Sequence, residues 1–203
     1  MIVLGLTGGI ASGKSTVSQM LKEKGFPIID ADMISREILK IGEVAFNRVI
    51  ESFGIQILNP EGEIDRKRLR EIVFNDNEKL KTLNEITHPE ILKRINEKIK
   101  IYNTKGYRLC VVDAALLIET GFYKHVDFVL LVYCDRETQI NRLMKRDGLT
   151  YEQAIKMINS QMDFEEKKKY ADYIIDNSKD LENTKKQLDY IINSILSMEE
   201  MNE

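Results

Sequence analysis

Residues Gly8 to Ser15 read G-G-I-A-S-G-K-S and match the pattern G-x-x-x-x-G-K-[ST] at every fixed position. Glycines in such a turn let successive backbone N–H groups converge on a polyphosphate. The lysine of the pattern adds a point charge for the β- and γ-phosphates, and its hydroxyl residue can ligate Mg²⁺. Lys14 and Ser15 occupy those two positions. The context agrees with the pattern. Met1–Thr7 is a short apolar run of strand type, and Lys14–Lys24 carries Val17, Met20 and Leu21 at helical spacing before Gly25. Strand, glycine loop and helix in that order set a helix N-terminus against an anion. The implied ligand is a nucleoside triphosphate.

A second group of residues could act on that ligand. Asp30-Ala31-Asp32 follows the next apolar run. In an extended segment residues two apart point the same way, so both carboxylates would face the mouth of the loop. Phosphoryl transfer to an alcohol needs a carboxylate to take the hydroxyl proton and a metal held beside the phosphates. Asp32 is read as the base and Asp30 as an outer-shell partner of the metal. The competing reading has Asp30 ending the strand and Asp32 capping a helix that starts at Met33. Asp113, after Leu109–Val112, fits the second acid of phosphate-loop enzymes, which orders the metal's hydration shell; Ser15 is the direct metal ligand. Arg142 and Arg146 lie four apart on one helix face, where planar guanidinium groups could cover the phosphates as a lid or form a solvated basic face. His88-Pro89 is either a substrate contact or a helix-breaking turn, and Lys167–Lys169 read as solvated.

These residues need elements to position them. Besides Met1–Thr7, four runs look like buried strands: Phe26–Ile29, Tyr107–Val112, Phe128–Tyr133 and Tyr173–Ile175. They are continuous rather than alternating, which suits a sheet covered on both faces. Helical patterns separate them, so the class is α/β with a mostly parallel, five-stranded sheet flanked by helices. Acids close the runs at Asp30, Asp113, Asp135 and Asp176, and ligands bind beyond the carboxyl ends of strands in such sheets. Roughly seventy-five residues separate Asp32 from Tyr107, far more than one crossover helix needs. Helical patterns fill this interval at Ile34–Lys40, Val44–Phe53, Arg66–Phe74, Asn77–Ile86 and Pro89–Tyr102, broken by the turn Asn59–Gly62. One domain is expected, 1–203, with a core of about 1–32, 105–136 and 170–203. A helical substrate-binding insertion would span about 33–104 and a helical lid about 137–169, divided at Gly148–Thr150. Leu181–Leu196 should pack back on the sheet, with Met198–Glu203 frayed.

The bulk composition narrows the partners. The chain has 203 residues, 43% hydrophobic and 31% charged, with a net charge of −3. No basic excess favours nucleic acid as a partner. Cys110 and Cys134 sit in apolar runs without metal-ligand spacing and read as buried, reduced side chains. No run approaches the roughly 18 apolar residues of a membrane span. With no leader pattern either, a cytoplasmic location is expected. No N-K-x-D follows a strand, so guanine selectivity is unsupported. A nucleotide-gated binding protein without transfer remains the reading from another class.

Taken along its whole length, the chain resembles the dephospho-coenzyme A kinases. The resemblance is carried by Leu6–Thr16, Asp30–Glu37, Phe53-Gly54, Gly62–Leu69, Val73-Phe74, His88-Pro89, Leu116–Glu119, Gln139–Arg146 and Ala171–Asn177. It implies a P-loop kinase fold and transfer of the ATP γ-phosphoryl group, with Mg²⁺, to the ribose 3′-hydroxyl of dephospho-CoA. It implies ATP contacts at Gly9, Ile10, Ala11, Ser12, Gly13, Lys14, Ser15, Thr16 and Arg146. It implies catalytic roles for Asp32, Lys14 and Arg142, and acceptor contacts at Asp32, Arg36, His88, Leu117 and Glu119. ATP and dephospho-CoA would be the partners, with no nucleic acid, membrane or obligate protein partner. Two residues depart from the family's usual pattern: Ala11 stands where a glycine is common, and Ala115 where a proline is common.

Overall fold

The computed structural model describes residues 1–200. Five strands form one sheet: β1 (Ile2–Gly8), β2 (Ile28–Asp30), β3 (Leu109–Asp113), β4 (Phe128–Tyr133) and β5 (Tyr173–Asp176). Their order is β2-β3-β1-β4-β5, and β1–β3, β1–β4 and β4–β5 pair in parallel. Every apolar run read as a strand is one, with its ends moved by two residues at most. Burial follows position in the sheet: β3 is buried at all five residues, whereas the edge strands β2 and β5 are not. A central strand has helices over both faces, hence its unbroken apolar sequence. The register sets Leu6 opposite Asp113 and Gly8 opposite Val132. The loop after β1 therefore emerges beside the last residues of β3 and β4.

Helix α1 (Lys14–Glu23) follows that loop, and α9 (Leu181–Glu200) closes the described chain. Val17 and Leu21 of α1 meet Leu188, Ile191, Ile192 and Ile195 of α9 in the same core as the strand residues Leu4, Leu6, Val111, Leu130 and Val132. α9 continues regularly to Glu200, so the fraying expected from Met198 is not seen there; residues 201–203 lie outside the described residues. Cys110 and Cys134 are fully buried, and desolvation pushes both thiols up to about 11. They are protonated small hydrophobes, as their apolar surroundings suggested.

Between β4 and β5 stand α6 (Arg136–Asp147), α7 (Tyr151–Asn159) and α8 (Phe164–Lys168). The expected division is at Gly148, which ends α6 in the left-handed region, φ 65°. Thr150 then opens α7 with a capping box, its hydroxyl accepting from the Gln153 N–H while the Gln153 side chain accepts from the Thr150 N–H. Ile140 and Leu143 of α6 pack with Ala154 of α7, and Ile10 and Ala11 of the loop lie against the same cluster.

The interval before β3 carries α2 (Ala31–Glu37), α3 (Val44–Phe53), α4 (Arg66–Phe74) and α5 (Asn77–Thr104). The chain divides into two compact units: Met1–Ile29 with the chain from Ile101 onward, and Asp30–Lys100. The second unit has its own core of Phe46, Val49, Phe53, Ile57, Ile64, Leu69 and Val73. Its turn at Asn59–Gly62 folds Leu58 back onto Ile64 as an antiparallel bridge. Two expectations about helices are corrected. Asn77–Ile86 and Pro89–Tyr102 are one helix, not two, so His88-Pro89 is no helix-breaking turn. Proline lacks the N–H owed to the carbonyl four residues back, yet the buried face of Thr87, Ile91 and Ile95 runs straight past Pro89 and holds α5 together. The Thr87 hydroxyl also donates to the Leu83 carbonyl at 2.8 Å, covering a backbone acceptor in the same turn. The second lies at Asp30–Asp32, expected to be extended, where α2 already begins at Ala31.

Candidate active site

The loop's shape is enforced from outside it. Gln139 Nε2 of α6 donates to the Ile10 carbonyl at 2.7 Å. Asn177 Nδ2, one residue past β5, donates to the Ser12 carbonyl at 2.8 Å. Arg142 sends one Nη to the Ala11 and Ser12 carbonyls, at 3.4 and 3.3 Å, and the other to the Asn177 carbonyl at 2.8 Å. Asn177 is held in turn by the Thr184 hydroxyl, which donates to its Oδ1 at 2.7 Å. A planar trans peptide points its N–H opposite its C=O. Holding the carbonyls of Ile10, Ala11 and Ser12 therefore directs the following amides, including those of Ala11 and Gly13, to the other side. α1 has no side-chain cap, so its first amides are also left for a ligand.

Two backbone positions show what this shape demands. Gly13 has φ 92°, and a Cβ there would stand 2.0 Å from Asn177 Nδ2. Only glycine fits. Ala11 has φ 57° and is the one non-glycine at positive φ among the described residues. Alanine in this region costs about 1–2 kcal/mol, a strain the surrounding hydrogen bonds sustain.

Lys14 forms an ion pair with Asp113, both largely buried. Ser15 is exposed at the start of α1. A cavity of about 730 Å³ is bounded by the whole loop from Gly8 to Thr16 together with Ala115, Arg142, Lys145, Arg146, Gln161, Asn177 and Leu181. All the residues expected to contact a nucleotide thus share one cavity. Arg146 is mostly exposed and forms a bidentate pair with Asp147 at 2.8 and 2.7 Å, whereas Arg142 spends its donors on the loop. After Asp113 the chain turns with Ala114 N–H donating to the Leu6 carbonyl and the Thr7 hydroxyl to the Ala115 carbonyl, at 3.0 and 3.2 Å. Those bonds hold the turn without the proline.

Two expectations in this unit need correction. Lys167 is not solvated: it has no exposed surface, and its ammonium lies 2.7 Å from Glu119 Oε1. The preceding residue pattern explains it, since Lys167 lies three positions after Phe164 and shares its inward face of α8, while Lys168 and Lys169 pair with Glu165 and Glu166 at the surface. Leu117, expected to contact the acceptor, is also fully buried, and its side chain packs against Gly5; the neighbouring Leu116 is the exposed one.

The other expected residues belong to the second unit. The premise that Asp30-Ala31-Asp32 is extended does not hold, because α2 begins at Ala31. The cap is Asp30, not Asp32: its Oδ1 accepts from the Met33 N–H at 2.7 Å. Asp32 lies in the first helical turn, exposed, and two residues apart on a helix do not share a face. Arg36, four residues on, does share Asp32's face and is exposed. His88 is half-buried on α5, and burial lowers its pKa from the ordinary imidazole value.

Sequence reasoning missed several residues that shape the site. Gln139 is 3% exposed and is a polar residue on the apolar stripe of Ile140 and Leu143, a signal that was present. Gln161, Phe164 and Thr184 left no such mark, because their partners lie 7 to 151 residues away in sequence. Phe164 packs edge-on to Tyr133 with ring centres 4.9 Å apart, and a side chain at Gly9 would meet it at 2.7 Å.

A phosphate loop opening a helix at the carboxyl ends of a parallel sheet, with a lysine–aspartate pair beneath it, defines a P-loop nucleotide-binding protein. The family model for dephospho-CoA kinase (CoaE) matches residues 2–183. A dephospho-CoA kinase of Carboxydothermus hydrogenoformans is 51% identical over 174 residues, covering 86% of this chain and 84% of that one. The dephospho-CoA kinase structure from Campylobacter jejuni superposes with a TM-score of 0.71 at 34% identity, covering 97% of this chain and 98% of that one. A Thermus thermophilus crystal structure gives 0.81 at 30% identity over 95% and 97%. The chain belongs to the dephospho-CoA kinase family. Among the described residues no helix is long and apolar enough to cross a membrane.

Two stability predictions follow from these contacts. Ala11→Gly relieves the positive φ and should raise the thermal midpoint by about 2–4 °C for a chain of this size; a lower midpoint would mean that the lost methyl contacts outweigh the strain. Lys167→Met strands the Glu119 carboxylate and should cost about 3–5 kcal/mol, whereas Lys167→Met with Glu119→Gln should recover most of it. Equal midpoints for the single and double variants, in scanning calorimetry, would show that the ion pair is not what holds α8.

Proposed function

We propose that the chain transfers the γ-phosphoryl group of ATP to the ribose 3′-hydroxyl of dephospho-CoA, giving coenzyme A and ADP. The donor half rests on one observation, the phosphate loop whose carbonyls are held from outside so that the amides of Ala11 and Gly13 and the α1 N-terminus are left for a ligand. The acceptor half rests on family membership. In the step itself the 3′-oxygen forms a bond to the γ-phosphorus, the bond from that phosphorus to the ADP oxygen breaks, and the hydroxyl proton goes to Asp32. Asp32 is exposed in the first turn of α2 and is the carboxylate assigned to receive it. Lys14 moves from Asp113 toward the β- and γ-phosphates as their charge arrives, and Arg142, its donors engaged by the Ala11, Ser12 and Asn177 carbonyls, serves the transfer by holding the loop that receives them.

The donor set fits a metal that arrives with its nucleotide. Among the described residues no three His, Cys, Asp or Glu side chains cluster into a cage. Mg²⁺ seldom uses one: it keeps several waters and takes one or two protein groups plus phosphate oxygens. Ser15 would supply the hydroxyl, and Asp113 would hold metal waters. Asp30, with Oδ1 committed to its cap, could contribute only its other oxygen from the outer shell. When bound, the ion neutralises charge developing on the β- and γ-oxygens. Arg36 and His88 are proposed acceptor contacts; Glu119, expected to be one, has both carboxylate oxygens buried beside Lys167 and, like Leu117, supports the backbone from below. α6 to α8 act as the lid, with Arg146 reaching ATP, and closure excludes competing water. With two water-soluble substrates the reaction belongs in the cytoplasm, without a nucleic-acid, membrane or obligate protein partner.

Incubation with Mg·ATP and dephospho-CoA should yield coenzyme A, identified by mass; ADP release no greater than with water as acceptor would sink the assignment, and transfer to a different nucleoside or alcohol would replace it. Asp32→Asn should fold and bind ATP while losing about 10²–10⁴ in turnover. Near-normal turnover would remove Asp32 from the proton transfer.

A further inference from the structure

The Ile10 backbone is gripped from both sides by glutamines outside the loop. Its N–H donates to Gln161 Oε1 at 2.8 Å, and its carbonyl accepts from Gln139 Nε2 at 2.7 Å. These groups belong to the two successive peptide planes on either side of Ile10, immediately before the strained Ala11. Gln139 sits on α6, but Gln161 lies in the short connection between α7 and α8, anchored by its own N–H to the Ile158 carbonyl at 3.2 Å. The Ile10 side chain meanwhile packs among Ile140, Leu143 and Ala154. Gln161 also stands in the wall between two cavities. It lines the 730 Å³ cavity of the phosphate loop and a second one of about 350 Å³ on the side of Tyr133 and Phe164.

We propose that Gln161 is a positioning residue for phosphoryl transfer: by accepting from the Ile10 N–H it fixes the Gly9–Ile10 peptide plane and ties the phosphate loop to the α7–α8 segment. The inference rests on the reading of this loop as the ATP site. The reason is geometric. A loop residue at positive φ without glycine holds its shape only if its neighbours are over-determined; Asn177 fixes the Ser12 carbonyl on one side of Ala11, and Gln161 fixes the Ile10 N–H on the other from the α7–α8 connection. Any movement of α7 and α8 that shifts Gln161 is transmitted to the amide next to the phosphates. Loss of the acceptor leaves a partly buried N–H unpaired, which is costly enough to turn the peptide.

The test uses the full chain with Gln161→Leu, which keeps the volume and removes the acceptor, and Gln161→Glu, which keeps the acceptor. Amide hydrogen exchange over residues 8–12 should accelerate about 5- to 100-fold in Gln161→Leu and return toward the parent rate in Gln161→Glu. Turnover per folded molecule, measured well below the thermal midpoint, should fall by a similar factor in the leucine variant and recover in the glutamate variant, as exchange does. Unchanged exchange, or unchanged turnover with a lowered midpoint, would overturn the proposal and leave Gln161 a packing residue. Exchange needs no acceptor substrate. If dephospho-CoA proved the wrong acceptor, the exchange result would stand; if Gln161 proved inert, the acceptor assignment would be untouched.

Discussion

The structure depends on how the carbonyl groups of residues 10 to 12 are held. A turn rich in glycine has many conformations available, and only a few aim consecutive amides at one point. Here Gln139, Arg142 and Asn177 hold three successive carbonyl oxygens, and Thr184 holds Asn177. The constraint reaches from the loop to α6, to the end of β5 and into α9. The sheet register supplies the other half, since β1 ends beside Asp113 and beside β4. Binding then need not order the loop, and the entropy of arranging it has been met in folding.

Charge is arranged by the same logic. Lys14 is kept in the cavity by Asp113, and the two can separate when a stronger anion and its metal arrive. Lys167 illustrates a different use of charge. It is buried beneath α8 with Glu119 as its counter-ion, so the two long-range partners join the turn after β3 to the segment before β5. A buried pair of this kind contributes specificity of placement more than net stability. Both pairs link sequence-distant pieces of one unit, and Glu119 lies six residues after Asp113.

Much of this was legible in the sequence. The central apolar runs announce strands because a central parallel strand must be apolar on both faces, and G-G-I-A-S-G-K-S announces its ligand through a glycine-rich backbone followed by a lysine and a hydroxyl. The departures have local causes. Asp30 ends β2 and caps α2 in the same residue, so the strand periodicity stops just where the acids begin and Asp32 turns with a helix. Pro89 reads as a boundary because proline removes a donor, but tertiary packing of Ile91 and Ile95 outweighs one missing bond. Three consecutive lysines at 167–169 look alike in sequence, and only the phase of a five-residue helix separates the buried one. The glutamines that hold Ile10 could not be assigned at all, because their partners lie about 130 and 150 residues away and side-chain-to-backbone bonds carry no periodicity.

The account's central claim is that the loop is a prearranged cradle for a polyphosphate. Titration calorimetry of ADP and AMP against the chain tests it most directly, because the two ligands differ by the one phosphate that the loop amides and Lys14 would hold. Two or more charge-assisted hydrogen bonds to that group predict ADP binding at least about a hundredfold tighter than AMP. Equal affinities would contradict the claim, since they would place the binding energy on the nucleoside and leave the outward-held carbonyls without a functional consequence.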